Sequence, residues 1–136
     1  YLLLPRESVL SLADNEADRL CQLAAGLAVG SHLYWPDGED TRTLRSALPR
    51  VVQDRISLVR DWSGEAVAFD AVMHHGDADQ LRSISQQLAR RNGPLVAVIG
   101  LPAGDTDVPL ERLLIERTLS VNTAAAGGNA SLMTIG

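Results

Sequence analysis

The sequence predicts an α/β protein with a Rossmann-like, doubly wound and mainly parallel sheet. Short apolar runs alternate with helical segments of roughly 14 residues, as in repeated βαβ units. The run LVAVI at 95–99 is apolar at every position, which is typical of a strand covered on both faces. Hydrophobic residues make up 46% and charged residues 21% of the 136-residue chain. This composition and length favour one folded domain with a sizeable core.

The first half of the chain is predicted to alternate strands and helices in this way. After the apolar run Tyr1–Leu4, which Pro5 closes, the predicted elements are a buried strand at Val9–Ala13, a helix at Glu16–Val29, a strand at Ser31–Trp35, short helices at Thr41–Leu48 and Pro49–Arg55, and a strand at Ile56–Arg60. Asp14 or Asn15 can cap the long helix, and Gly30 can stop it. Its apolar positions recur at helical spacing, which predicts the inward face: Ala17, Leu20, Cys21, Ala24, Leu27 and Ala28.

The second half is predicted to continue the pattern. Its elements are a strand at Ala68–Met73, a helix at Ala78–Arg91, a strand at Leu95–Ile99, a helix at Asp107–Thr118 and a short strand at Leu119–Asn122. Asp77 can cap the helix Ala78–Arg91. The predicted inward residues of that helix are Leu81, Ile84, Leu88 and Ala89, and Gly93-Pro94 ends it. We expect these elements to complete one domain over residues 1–122.

Charge and composition exclude several classes of function. The net charge is −5, and the 12 basic residues are scattered and all arginine. This pattern indicates neither a nucleic-acid surface nor a membrane contact, and no apolar run approaches the roughly 20 residues of a membrane helix. Without lysine, the chain cannot form a Schiff base. The lone Cys21 excludes an internal disulfide and a cysteine zinc cluster, as is typical of a cytoplasmic protein.

Two turns at the predicted carboxyl edge of the sheet are candidate ligand sites, since such turns bind phosphates at helix N-termini. The first turn carries Asp14, Glu16 and Asp18, and the second carries Asp77 and Asp79. Carboxylates there stabilise the helix start and repel an incoming phosphate. No G-x-G-x-x-G motif follows a strand. We therefore expect neither a dinucleotide nor any cofactor-binding residue at these turns.

Metal-ligating and nucleophilic residue types favour structural roles in this chain. His74 and His75 are adjacent in sequence and lack a third ligand at a familiar spacing, so we expect no metal site. Cys21 lies on an apolar face of a predicted helix, where a thiol is packed and inert. We expect no catalytic residue in this chain.

Glycines and tryptophans leave two interpretations open. Gly26 and Gly30 favour close helix packing and a helix stop, and the segment Gly100–Gly104 favours a plain turn over a ligand loop. Trp35 and Trp62 fall at strand ends or in loops. They either cover the sheet or face a partner, and the sequence does not decide between these roles.

The C-terminal segment Thr123–Gly136 is uncharged and shows neither helical nor strand periodicity. Its small side chains permit close backbone approach, so we expect this tail to dock on a surface, with a frayed terminus as the alternative. The residues expected at that interface are Thr123, Gly127, Gly128, Asn129, Leu132, Met133 and Ile135. Because the chain begins at Tyr1 without an initiator methionine, we expect it to be a piece of a larger protein.

The ending LSVNTAAAGGNASLMTIG at 119–136 closely resembles the C-terminus of the long forms of proline utilization A. The segments YLLLPRESVLSLADNEADRL at 1–20 and FDAVMHHGDADQLRSISQQLARR at 69–91 resemble the same proteins. That bacterial family joins an FAD-dependent proline dehydrogenase to an NAD-dependent dehydrogenase for pyrroline-5-carboxylate, or L-glutamate γ-semialdehyde. The resemblance implies FAD and NAD in the parent protein and neither in this chain. It also implies that residues 1–122 form an inactive domain of the aldehyde dehydrogenase superfamily.

Departures from active members of that superfamily agree with the analysis of the turns. Active members place a lysine after the second strand to hold the adenosine ribose, where this chain has Trp35-Pro36. They have Gly-Ser-Thr where this chain has His75-Gly76-Asp77, and their general-base glutamate is replaced near Val98. Nothing in the chain corresponds to their nucleophilic cysteine loop.

The resemblance implies an accessory role for this chain. The domain is expected to pack on the dehydrogenase module of the parent and to cover, with its tail, the passage that carries the intermediate between the two active sites. Such a lid keeps a reactive intermediate away from bulk water. Two alternatives stay open: the NAD-binding portion of an aldehyde dehydrogenase, and a regulatory module that binds another metabolite. The parent's oligomeric state is open as well.

Overall fold

The computed structural model describes residues 2–5, 7–64, 67–91 and 96–117, with side chains described in 7–64, 67–91 and 96–114. These residues form seven strands, four α-helices and one 3₁₀ turn. The strands are β1 (Leu2–Pro5), β2 (Ser8–Leu12), β3 (His32–Pro36), β4 (Ile56–Val59), β5 (Ala71–His75), β6 (Ala97–Leu101) and β7 (Leu114–Arg117). The helices are α1 (Glu16–Val29), α2 (Glu39–Ser46), α3 (Arg50–Gln53) and α4 (Ala78–Ala89), and the 3₁₀ turn is Leu110–Leu113.

Five of these strands form a parallel sheet in the order β4-β3-β2-β5-β6. Within this sheet, the first strand along the chain is the central β2. β3 and β4 follow on one side of it, and β5 and β6 then add on the other side. This reversal creates a topological switch point between β2 and β5 at the carboxyl edge of the sheet. The predicted Rossmann-like, doubly wound α/β fold is therefore confirmed.

Apolar side chains fill both faces of the sheet. One face carries a cluster that includes Leu23 of α1, Trp35 of β3 and Leu113 of the 3₁₀ turn, with Leu44 of α2 packed against it. The opposite face is covered by α4 and the segment after β4, which bring Ile84, Trp62 and Phe69 against the sheet: the full buried set there is Leu10, Leu12, Phe69, Val72 and Ile84. Trp35 is fully buried in this cluster, so it covers the sheet and is not available to a partner.

The bounds of α1 are as predicted, but its predicted inward face is wrong. Asn15 caps the helix start, and Gly30 ends it with a φ of 85° in the left-handed region. The residues that face the sheet are Asp18, Arg19, Gln22, Leu23, Ala25 and Gly26. Most of the predicted face points away from the sheet: Ala17, Leu20, Ala24 and Ala28 are exposed and Cys21 is half-buried. Leu27 does pack against the core. Polar side chains lie inside because they bond to the sheet and its loops, as described below.

Other predicted elements shift or change type. The strand predicted at 68–73 forms three residues later, and the one predicted at 95–99 forms two residues later. The two short helices at 41–55 are confirmed, with α2 beginning at Glu39. In α4, Asp77 is the predicted cap and Ile84 is buried, with Leu81 and Leu88 half-buried, whereas Ala89 is exposed.

The helix predicted at 107–118 is wrong. That segment forms only the 3₁₀ turn before entering β7, which pairs antiparallel with β1. Long-range pairing with the start of the chain outweighs the local helical pattern. The strand predicted at 119–122 and the tail at 123–136 lie outside the described residues. None of the helices in the described ranges is both long and apolar enough to cross a membrane.

Candidate functional site

The turn from β2 into α1 lies where a parallel sheet would place a phosphate on a helix N-terminus. Asn15 closes this turn: its Oδ1 accepts the backbone N–H of Asp18 at 2.8 Å, and its Nδ2 donates to Asp18 Oδ2 at 3.0 Å. The helix start is thus capped by the chain's own side chains, as the sequence predicts.

The Asp18 carboxylate also binds the loop that follows β6. The backbone N–H of Gly104 donates to Asp18 Oδ1 at 3.0 Å and lies 3.3 Å from Oδ2. Asp18 is only 3% exposed, and Gly104 has a φ of 83°, a conformation that glycine adopts readily. A buried carboxylate and a loop backbone are therefore in contact beside the N-terminus of α1.

Arg19 anchors the same turn from beneath. Its guanidinium donates to the carbonyl oxygens of Ser11 at 3.1 Å and Ala13 at 2.7 Å, and its Cζ lies 5.3 Å from the centre of the Trp35 ring. Burial lowers the pKa of Arg19, while the nearby Asp40 and Asp14 oppose that shift. The buried guanidinium thus binds two carbonyl oxygens at the end of β2, and its planar, rigid set of N–H donors suits this role.

Gln22 and His75 form a buried hydrogen-bond chain across the sheet. Gln22 Oε1 accepts the Ser11 hydroxyl, and its Nε2 donates to the Leu12 carbonyl at 2.8 Å. The same Nε2 lies 2.9 Å from His75 Nδ1, and His75 Nε2 lies 2.8 Å from the Asp105 carbonyl. Since that carbonyl only accepts, His75 Nε2 carries the proton and Nδ1 accepts from Gln22. The chain joins β2, α1, β5 and the loop after β6.

The second turn, from β5 into α4, is closed in the predicted way. Asp77 Oδ1 accepts the backbone N–H of Gln80 at 2.8 Å, and Gln80 Oε1 accepts the backbone N–H of Asp77 at 3.1 Å. This reciprocal capping box satisfies two N–H groups of the helix start. Gln80 Nε2 reaches back to Asp14 Oδ2 at 3.1 Å, which links the two turns.

A crevice of about 460 Å³ opens between the two turns, at the switch point of the sheet. Its apolar wall is formed by Leu12, Trp62 and Ile84, and its polar rim carries three carboxylates, from Asp14, Asp37 and Asp40. His74 also lines the crevice and is 4% exposed. Burial lowers the pKa of His74, so the imidazole is neutral at pH 7. The crevice therefore offers acceptors and an apolar wall.

The two adjacent histidines diverge. His75 belongs to the buried chain, whereas His74 lines the crevice, so the structure does not bring them to one point. In the described ranges, no group of three histidine, cysteine or carboxylate residues is arranged to hold a metal ion.

Cys21 is half-buried rather than packed in the core. Its sulfur lies 3.9 Å and 3.8 Å from the carbonyl oxygens of Asp105 and Thr106. Burial raises the pKa of the thiol, and the Asp18 and Asp105 carboxylates add to the shift. A thiol with a raised pKa stays protonated at pH 7 and is a poor nucleophile.

The glycines have the packing roles that the sequence favours. A Cβ on Gly26 would lie 2.8 Å from Leu33 Cδ2, and one on Gly100 would lie 2.6 Å from Leu81 Cδ2. Both glycines therefore let a helix approach a strand closely. The segment 100–104 forms a turn, but it also brings Gly104 to Asp18, a contact that sequence reasoning missed.

Sequence reasoning also missed Ser11, Arg19 and Gln22 as parts of the site. One signal for them exists in the sequence. Ser11 interrupts an otherwise apolar buried strand, and a buried hydroxyl needs a partner. Asp18 and Gln22 are spaced four residues apart with Arg19 beside them, so together they form a polar stripe on one side of the helix.

The chain is similar to segments of much longer proteins. No family model matches it. The chain is 57% identical to Bifunctional protein PutA of Escherichia coli strain K12 over 136 residues, and 54% identical over 136 residues to the protein of that name from Salmonella typhimurium. The Rhizobium meliloti protein of that name is 34% identical over 141 residues. In each case all of this chain is covered, and the chain spans about a tenth of the relative's length (10%, 10% and 11%).

Proposed function

We propose that this chain is a non-catalytic accessory domain of a bifunctional enzyme of proline catabolism. In this proposal it packs on the dehydrogenase module of the parent protein, in the cytoplasm, and helps to cover the passage for pyrroline-5-carboxylate or L-glutamate γ-semialdehyde. The parent would hold FAD and NAD, and this chain would hold neither. The proposal combines the similarity to a segment of proteins named Bifunctional protein PutA with the geometry of α1.

The observation that carries the proposal is the orientation of α1. Its polar side chains, Asp18, Arg19 and Gln22, are buried and bond to the end of β2 and to the loop after β6. Its outward face is apolar, with Ala17, Leu20, Ala24 and Ala28 in a row free of charge. A helix oriented in this way uses its polar side chains within the domain and leaves an apolar face on which a neighbour can pack closely.

The closed turns support the non-catalytic half of the proposal. A dinucleotide needs free N–H groups and no competing anion at the helix N-terminus. Here Asn15 and the buried Asp18–Gly104 contact occupy that position, and Asp14 and Glu16 lie beside it. The thiol of Cys21 is protonated, which suits a chain without a nucleophile.

An assay of the full-length protein that carries this chain tests the covering role. The variant Ala24→Arg adds a long cation to the outward face of α1, and Ala89→Arg, at an exposed position of α4, is the matched control. We expect Ala24→Arg to lengthen the lag before NADH appears from proline and to lower the coupled rate severalfold. Proline oxidation with an artificial electron acceptor should stay within twofold, because that step does not use the passage.

The tail gives a second, independent arm of the same test. Removal of residues 123–136 should affect the two reactions in the same way as Ala24→Arg: coupled conversion should slow, and proline oxidation should stay nearly unchanged. Coupled rates and lag times equal to those of the unmodified protein, in both Ala24→Arg and the tail deletion, would show that the chain does not cover the passage.

A further inference from the structure

The crevice between β2, β3 and β5 has features that the covering role does not use. It measures about 460 Å³, which lies within the range of small-molecule sites. It also lies at the switch point of the parallel sheet, where ligands of such folds bind. The turn closures described above remove the phosphate position on α1 and leave this crevice open beside it.

The charge of the crevice selects against anions. Three carboxylates line it, from Asp14, Asp37 and Asp40, and Arg19 is the cation among its lining residues. Arg19 is engaged by the Ser11 and Ala13 carbonyls and is 6% exposed. With three carboxylates, one guanidinium and a neutral histidine, the lining residues carry a formal net charge of −2.

The carboxylates keep capacity for a ligand. Asp14 accepts through Oδ2 from Gln80, Asp37 accepts through Oδ1 from Arg42, and Asp40 accepts through Oδ1 from the backbone of Thr41. Each carboxylate can accept about four hydrogen bonds, so each of these contacts leaves lone pairs over. Asp14 and Asp40 are also exposed, which leaves them open to a ligand from solvent.

His74 gives an independent indication of a missing partner. It lines the crevice and is 96% buried, and its Nδ1 has no hydrogen-bond partner within the part of the chain that the structure describes. An unsatisfied buried nitrogen is costly. A neutral imidazole has one acceptor nitrogen, so a donor bound in the crevice could satisfy it.

We propose that this crevice binds a small organic cation, an alkylammonium or guanidinium compound without phosphate. Asp14 and Asp40 pair with its charge, His74 accepts one of its N–H groups, and Leu12, Trp62 and Ile84 cover its apolar body. Carboxylates beside an aromatic ring suit such cations, because both the charge and the ring face attract them. This inference does not rest on the covering role, since a ligand site can exist with or without it.

Calorimetric titration of the 136-residue chain with agmatine, which carries a guanidinium and an ammonium group, tests the proposal. We expect one saturable site, with quenching of Trp62 fluorescence at the same ligand concentration. 1,4-Butanediol has a comparable chain without charge, and succinate carries the opposite charge. Neither should give saturable heat.

Matched variants separate a built site from general attraction to an acidic protein. The double variant Asp14→Asn/Asp40→Asn should weaken agmatine binding at least about tenfold, because the loss of one hydrogen bond between charged groups lowers affinity by about that factor. Asp79→Asn removes an exposed carboxylate outside the crevice and should change the dissociation constant less than twofold. Three results would overturn the proposal: no saturable agmatine binding up to 10 mM (roughly the weakest affinity of interest), equal losses in both variants, or equal binding of succinate.

Discussion

Helices α1 and α4 both follow a strand at the carboxyl edge of the sheet, yet the side chains that they bury against it differ in polarity. In α4, Ile84 is buried, Leu81 and Leu88 are half-buried, and the exposed residues are mostly polar. In α1, Asp18, Arg19 and Gln22 are buried, whereas Leu20 and Ala24 are exposed. The difference teaches that α4 is held mainly by apolar packing, whereas α1 is held partly by a polar network and leaves an apolar face for a neighbour.

The largest effect expected from this comparison is at Gln22. Gln22→Ala removes a fully buried side chain and leaves the Ser11 hydroxyl, the Leu12 carbonyl and His75 Nδ1 without their shared partner. We expect a loss of about 3 kcal/mol in the free energy of unfolding, from the cavity and the unpaired polar groups. Urea unfolding measures it.

Gln86→Ala on α4 is the control, since Gln86 is exposed and should change stability by less than about 0.5 kcal/mol. If the two variants lost the same free energy, the polar network would not distinguish α1 from α4.

A smaller effect is expected at Asp18. Asp18→Ala removes a buried carboxylate that accepts from Gly104 and Asn15, and hydrogen bonds to a charged group are worth about 1.5–3 kcal/mol. We expect a loss of about 2 kcal/mol, together with faster amide exchange of Gly104. Asp79→Ala, at an exposed first-turn position of α4, should leave both quantities nearly unchanged. Protection of the Gly104 amide in Asp18→Ala would contradict this account of the loop.

The free energy of unfolding should depend on pH through His74, which lies in β5, the strand before α4. Burial lowers the pKa of His74 below its usual 6.5, although Asp14 and Asp77 partly offset this. The unfolded chain then binds a proton more readily than the folded one, so the free energy of unfolding should fall as pH drops below 6.5 and should be flat above it.

His74→Gln should reduce this slope. Burial also lowers the pKa of His32, so His32→Gln should remove a second part of it. Unfolding midpoints recorded from pH 7 to pH 5 measure both contributions. If the pH dependence of the free energy of unfolding is unchanged in His74→Gln, His74 does not contribute to it.

The smallest effect on stability is expected on the outward face of α1. Ala24→Arg changes an exposed position, so the isolated chain should lose less than about 0.5 kcal/mol. The same substitution should slow the coupled reaction of the full-length protein, as proposed above. A large loss of stability in the isolated chain would mean that Ala24 is packed within the domain and has no role at an interface.

The sequence predicted what depends on neighbouring residues. The bounds of α1 follow from Asn15 and Gly30, which act within one helical turn. The capping of α4 by Asp77 is equally local. The acidic residues at both turns are visible in the sequence, which therefore predicts that no phosphate binds there.

What depends on distant contacts could not be predicted. Asp18 meets Gly104 across 86 positions of sequence, and the burial of Gln22 depends on His75 of β5. Hydropathy alone therefore predicts the wrong face of α1, because it places polar residues outside. The predicted helix at 107–118 failed for the same reason, because β7 pairs with β1 at the other end of the chain.

In the proposed function no dinucleotide binds at the carboxyl edge of this sheet, and calorimetric titration of the 136-residue chain with NAD tests this most directly. We predict no saturable heat up to millimolar NAD, under conditions where near-ultraviolet circular dichroism shows the folded chain. Saturable one-to-one binding of NAD would contradict this, and its loss when the Gly104 loop is altered would show that pyrophosphate reaches the start of α1.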